Sequence, residues 1–116
     1  MAAITRHKPG TRMSAAVVHG DTVYVAGQVA DDANADLKGQ AKQVLEKIEG
    51  ILTACGSSKS KLLSATIWLA DIRQWELMNT VWDPWIDPAN PPARATVEAK
   101  LARAGILIEI AVVAGK

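Results

Sequence analysis

Apolar and polar residues alternate in short runs at both ends of this chain and form a helical stripe in its middle. From Thr22 to Val29, Val23, Val25 and Gly27 alternate with Thr22, Tyr24 and Ala26, the period of two that belongs to a sheet. Met13 to Val18 is a second strand-like run. His19-Gly20-Asp21 between the two is a turn signal, so the pair predicts a hairpin. Gly27 has no Cβ and marks a bulge or a close backbone approach. After the polar loop Asp31 to Asn34, the residues Leu37, Ala41, Val44, Leu45, Ile48, Ile51, Leu52 and Cys55 recur as one helical face. Gln40, Lys42, Gln43, Glu46, Lys47 and Glu49 take the polar side. Asn34 or Asp36 caps this helix, and Gly56 suits the left-handed position after it. Gly50 inside it predicts a close neighbour, because glycine there is otherwise unfavourable.

Leu62 to Leu69 is largely apolar on both faces and reads as a central strand. Asp71 and Gln74 have the spacing of a capping box, so a second helix is expected from about Ile72. Trp75, Met78, Trp82 and Trp85 lie on one side of it, with Asn79 at the flank, and Pro84 should end it near Asp83. After the proline-rich loop Asp87 to Pro92, two strands close the chain, about Arg94 to Lys100 and Ile106 to Val113. The order β-β-α-β-α-β-β predicts an α+β fold: one mixed sheet with both helices on one face, in a single domain over residues 1–116. The other face then lacks a cover, and residues such as Leu62, Thr66, Trp68, Ile106 and Ile108 offer enough apolar surface on one face or the other to need one, which predicts an oligomer with clefts between subunits.

Composition narrows the function classes. Thirteen basic and twelve acidic residues give a net charge of +1, which provides no electrostatic footprint for nucleic acid or an anionic membrane. No apolar run reaches the roughly 20 residues of a transmembrane helix, and the first residues lack the apolar segment of a signal peptide. Cys55 is the single cysteine, so no intrachain disulfide or thiolate metal cluster is expected, nor any other metal or cofactor site. A cytoplasmic setting follows as the expectation. His7 and His19 are isolated and read as exposed, and Cys55 reads as a small buried apolar residue.

The candidate chemistry lies in two charges placed within apolar runs, Arg94 and Glu109. Arg94, Thr96 and Glu98 share one strand face, and Glu109 shares its face with Leu107, Ala111 and Val113. If the two strands paired as a hairpin, guanidinium and carboxylate would project from the same side, and a one-residue slip would separate them. Arginine grips a carboxylate through two parallel N–H bonds, and a carboxylate among apolar side chains can polarise a water. On spacing alone, a structural ion pair accounts for the two residues better than a site does. The Trp stripe likewise fits core or interface better than a ligand cage.

The runs Val23-Tyr24-Val25-Ala26-Gly27-Gln28-Val29, Gly39 to Leu45, Ala54-Cys55-Gly56-Ser57 and Ile67 to Asp71 resemble the RidA (YjgF-type) family of imine deaminases. The strongest match is Pro92-Ala93-Arg94-Ala95-Thr96-Val97-Glu98-Ala99 followed by Ile108-Glu109-Ile110, and the resemblance runs in order from about residue 13 to 114. It implies a chorismate-mutase-like fold, a homotrimer with a cleft between neighbours, and hydrolysis of 2-aminoacrylate-like imines and enamines to 2-keto acids and ammonia. By resemblance, Arg94 would bind a small carboxylate-bearing substrate and Glu109 would position or activate the attacking water. Asn79 matches a position near the cleft, and the Thr96 carbonyl would hold the imine nitrogen or the water. The chain departs from the best-known members at Met13, Ala26 and Thr96, where they carry Tyr, Ser and Cys, which removes two hydroxyls from the expected pocket wall. A non-catalytic metabolite-binding or chaperone-like trimer and a ribonuclease stand as the alternatives.

Overall fold

The computed structural model describes residues 2–116, in which six strands form one mixed sheet. The strands are β1 (Ile4–His7), β2 (Ala16–His19), β3 (Thr22–Gln28), β4 (Leu62–Leu69), β5 (Ala93–Glu98) and β6 (Ile108–Gly115). Their spatial order is β1-β2-β3-β6-β4-β5, antiparallel except for the parallel pair β4–β5. Helix α1 spans Leu37–Ala54 and α2 spans Trp75–Trp85. The expected α+β architecture is present, with one strand more than the hydropathy pattern predicts. That strand, β1, is short, and its first three residues are exposed, so no apolar alternation marks it. It is held through its backbone to β2, and it leaves His7 half-buried rather than exposed.

The β2–β3 hairpin forms around Gly20, whose φ of +60° places a glycine at the first central position of a two-residue turn. The last two strands do not pair as a hairpin. β4 lies between β5 and β6, and the β4–β5 pair is parallel. A parallel pair needs a crossover, and α2 supplies it.

Asp36 caps α1 by accepting a 2.9 Å bond from the Gly39 N–H, and Gly56 follows the helix at φ +81°. Gly50 has no neighbour within 4 Å of where a Cβ would stand, so the expected close approach is absent. Gln40 is fully buried instead of solvated. Its amide donates to the carbonyls of Ala35 and Gly105, and its oxygen accepts from Leu107 N–H at 2.9 Å, pinning the loop before β6 to α1.

Asp71 accepts from Arg73 N–H and heads a single 3-10 turn, Ile72–Gln74, that leads into α2. The Arg73 side chain also donates to it, and these bonds hold the half-buried Asp71 carboxyl below its ordinary pKa. Pro84 sits in the last turn of α2, which runs on to Trp85 instead of stopping at Asp83. So near the C-terminus the ring costs the helix a single backbone bond.

Val23, Val25, Ile67, Leu69, Ile108, Ile110 and Val112 of the sheet pack against the apolar stripe of α1 and against Met78 and Trp82 of α2. Burying each large aliphatic side chain contributes roughly 1.5–3 kcal/mol. Cys55 is half-buried, and desolvation raises its thiol pKa. The opposite face carries Val17, Tyr24, Ala26, Trp68, Val97, Ala111 and Val113 and has no helix over it. Tyr24 there is 48% exposed and Val97 44%.

Candidate functional site

Arg94 stands on the helix-covered face. In the β4–β5 ladder it is level with Ala65, Thr96 with Ile67, and Glu98 with Leu69, all buried under the helices. Its guanidinium carbon lies 5.1 Å from the ring centroid of Trp82 on α2. Asn79 lies one turn before Trp82 on the same side of α2. Its Nδ2 donates to Glu76 at 3.2 Å, while its buried Oδ1 has no partner. The Thr96 hydroxyl is likewise buried and unpartnered. The Asn79 amide oxygen on α2 and the Thr96 hydroxyl on β5 are thus both without a partner, and Arg94 has no carboxylate partner among the described residues. Buried polar groups are usually satisfied in folded proteins, so each of these atoms has capacity to bond a water or a ligand. Glu98 accepts from Ile72 N–H at 3.1 Å and ties β5 to the turn that starts α2.

Glu109 stands on the other face. Its neighbours Ile108 and Ile110 are fully buried toward the helices, and Glu109 is level with Trp68 of β4. Arg94 and Glu109 thus project from opposite sides of the sheet, so the shared side that a hairpin would have given is absent. The reason is the strand between them: register across β4 sets both faces, and proximity in sequence does not.

Between Val25 and Gln28 the register of β3 against β6 shifts, so Ala26 and Gly27 together oppose Ala111. The Glu109 side chain lies across this bulge. A Cβ on Gly27 would overlap the carboxylate, with Glu109 Cδ 2.9 Å away. The bulge and close approach anticipated at Gly27 are one feature. Ala26 N–H donates to Ala15 O at 2.9 Å, which brings the loop carrying Met13 to this end of β3. Met13 is 60% exposed.

The six candidate residues therefore divide: Arg94, Thr96 and Asn79 belong to the helix-covered side, Glu109 and Ala26 to the bare face, and Met13 to the loop that leads into β2. Sequence reasoning passed over two contributors. Trp82 was expected as core, yet its ring also carries the guanidinium, and a charge-bearing strand close to a Trp-rich helix was the signal for this. Glu76, the partner of Asn79, had no signal beyond its place three residues earlier. A groove between α1 and α2, lined by Lys42, Leu45, Val81 and Trp85 among others, includes none of the six.

The family model described as endoribonuclease L-PSP matches residues 3–116. A RutC family protein from Haemophilus influenzae is 41% identical over 112 residues, 96% of this chain and 97% of that protein. The crystal structure of a protein from Pseudomonas aeruginosa matches with a TM-score of 0.95 at 37% identity, over 98% of this chain and 99% of that one. A member of the YjgF protein family from Neisseria meningitidis matches with a TM-score of 0.93 at 36% identity, over 98% and 95% of the two chains.

Proposed function

This chain belongs to the endoribonuclease L-PSP family, to which the YjgF and RidA proteins also belong, and from that premise we propose that it hydrolyses reactive 2-imino and enamine acids to 2-keto acids and ammonia. One observation carries the reading: Arg94 is half-buried with no carboxylate partner among the described residues and lies over the ring of Trp82. A cation left free in such a place suits a substrate carboxylate.

In the proposed reaction Arg94 holds the carboxylate of an iminium acid, and enamines enter after tautomerising to the imine. Glu109 takes a proton from water as the oxygen attacks C2, forming a carbinolamine. Glu109 returns that proton to nitrogen; as the C–N bond breaks, the hydroxyl proton passes through Glu109 to the departing ammonia, and a 2-keto acid and ammonium leave. An imine carbon is already electrophilic, so orientation and a proton carrier suffice.

Because Arg94 and Glu109 lie on opposite faces of one sheet, this mechanism needs a second copy. The uncovered apolar face supplies a reason for copies to associate. In a closed ring, a trimer by family resemblance, Arg94 of one copy would meet Glu109 of the next. Met13 and Ala26 would then line the cleft from the Glu109 side.

The test generates an imino acid in place with an amino-acid oxidase and follows the imine captured by semicarbazide. Wild type should divert imine to keto acid, and Arg94→Ala should not. No diversion by wild type, or equal diversion by the variant, refutes the reading. The family description favours a second reading, cleavage of RNA, but a net charge of +1 gives little attraction for a polyanion. RNA cleavage that follows Glu109 and Arg94 variants through purification would restore it.

A further inference from the structure

We propose that Trp82 is a positioning residue that holds the Arg94 guanidinium in place while leaving its N–H donors free for a ligand. Arg94 is half-buried, and charged side chains that leave water are usually paired. The ion pairs among the described residues are Lys47–Asp31 and Arg73–Asp71, and neither includes Arg94. What faces the Arg94 guanidinium is an aromatic ring, with Cζ 5.1 Å from the Trp82 centroid. A ring face attracts the cation through its quadrupole and occupies none of the five N–H donors, whereas a carboxylate would occupy the fork that must grip the substrate.

The ring is itself fixed. Trp82 is buried and packs against Trp85, with centroids 5.6 Å apart and planes at 54°. Trp85 Nε1 donates to Glu49 of α1 at 2.9 Å, and Lys59 Nζ lies 5.4 Å over the Trp85 ring. A continuous path, Glu49 to Trp85 to Trp82 to Arg94, thus links the longest helix to the edge strand. It restrains a flexible side chain that would otherwise lose rotamer freedom each time a ligand binds.

The kinetic part of the test rests on the deaminase reading, and the spectroscopic part does not. Trp82→Leu removes the ring, Trp82→Phe keeps one, and Trp82→Met serves if the leucine variant does not fold. Three quantities are read: nitrogen-15 relaxation of Arg94 Nε–H, the Kd for 2-oxobutanoate, and KM and kcat for the trapped imine. Trp82→Leu should disorder Arg94 Nε and raise Kd and KM by about 5- to 30-fold, with little change in kcat. Trp82→Phe should restore the ordered Nε signal and most of the affinity. In an Arg94→Ala background, Trp82→Leu should weaken keto-acid binding no further, because the ring acts through the guanidinium.

An Arg94 Nε already disordered in wild type overturns the proposal. So does one that stays ordered in Trp82→Leu, or an equal loss of binding with and without Arg94. If wild type turns over no imine, the deaminase reading falls, and the relaxation data still decide the role of Trp82.

Discussion

On the helix-covered face of the sheet Arg94 lies against the ring of Trp82, whereas on the bare face Glu109 lies over the backbone of Gly27. The first charge is fixed by added matter, an aromatic stack anchored to α1 through Trp85 and Glu49. The second is accommodated by matter left out, a missing Cβ at a bulge. A bulky neighbour suits a charge that must keep still and keep its donors free. An open backbone would suit the proposed role of Glu109, a carboxylate that approaches a water. Under the proposed mechanism, the placement of the two charges on opposite faces means that one copy would offer two half-sites and no complete one.

The largest effect is expected at the bare face. Glu109→Gln keeps the shape and removes the proton carrier, so kcat should fall by about 10²- to 10⁴-fold, with keto-acid binding retained. A steady-state series on trapped imine decides this, and an unchanged kcat would remove Glu109 from the chemistry. Next comes a mixture. Arg94→Ala and Glu109→Gln chains, each inactive alone, should regain activity when unfolded and refolded together, because some clefts then receive an intact Arg94 and an intact Glu109. Recovery should exceed either parent by about tenfold, well above the rate an orphaned half-site can supply. No recovery, despite mixed oligomers detected by native mass spectrometry, would break the claim that the halves come from different copies.

A smaller change is expected from Gly27→Ala. The new methyl displaces the Glu109 carboxylate, and a shift of that kind should cost roughly tenfold in kcat without a comparable loss of stability. A crystal structure of the variant with Glu109 unmoved would contradict it. Smallest in activity, and largest in stability, is Gln40→Leu. It strips partners from the Ala35 and Gly105 carbonyls and the Leu107 N–H. Unfolding free energy should drop by about 1–3 kcal/mol in urea titrations, while kcat stays the same, because Gln40 touches neither half-site.

The helices and the hairpin were legible because each rests on a local signal. The α1 stripe from Leu37 to Leu52, the Asp36 cap and the Gly20 turn all act over a few residues. What escaped depends on residues far apart in the chain. β4 enters between β5 and β6 only because α2 carries the chain across, and no periodicity encodes that order. It puts Arg94 and Glu109 on opposite faces, where a hairpin would have given a shared one. Gln40 looked solvated because its three partners lie in the backbone before α1 and before β6. Thr96 and Asn79 could be named from the resemblance, but their unsatisfied atoms emerged only when α2 folded against β5.

The stack of Arg94 on Trp82 also makes the protein its own optical reporter. Among the described residues Trp82 is the indole with a guanidinium over its ring. A full positive charge about 5 Å from an indole perturbs its excited state, and a carboxylate docking on the guanidinium cancels most of that field. Occupancy of the Arg94 half-site should therefore shift the intrinsic emission of the unlabelled chain. Because the signal originates at the ring beneath the arginine, it would report ligand arrival even in a Glu109→Gln chain that cannot turn it over.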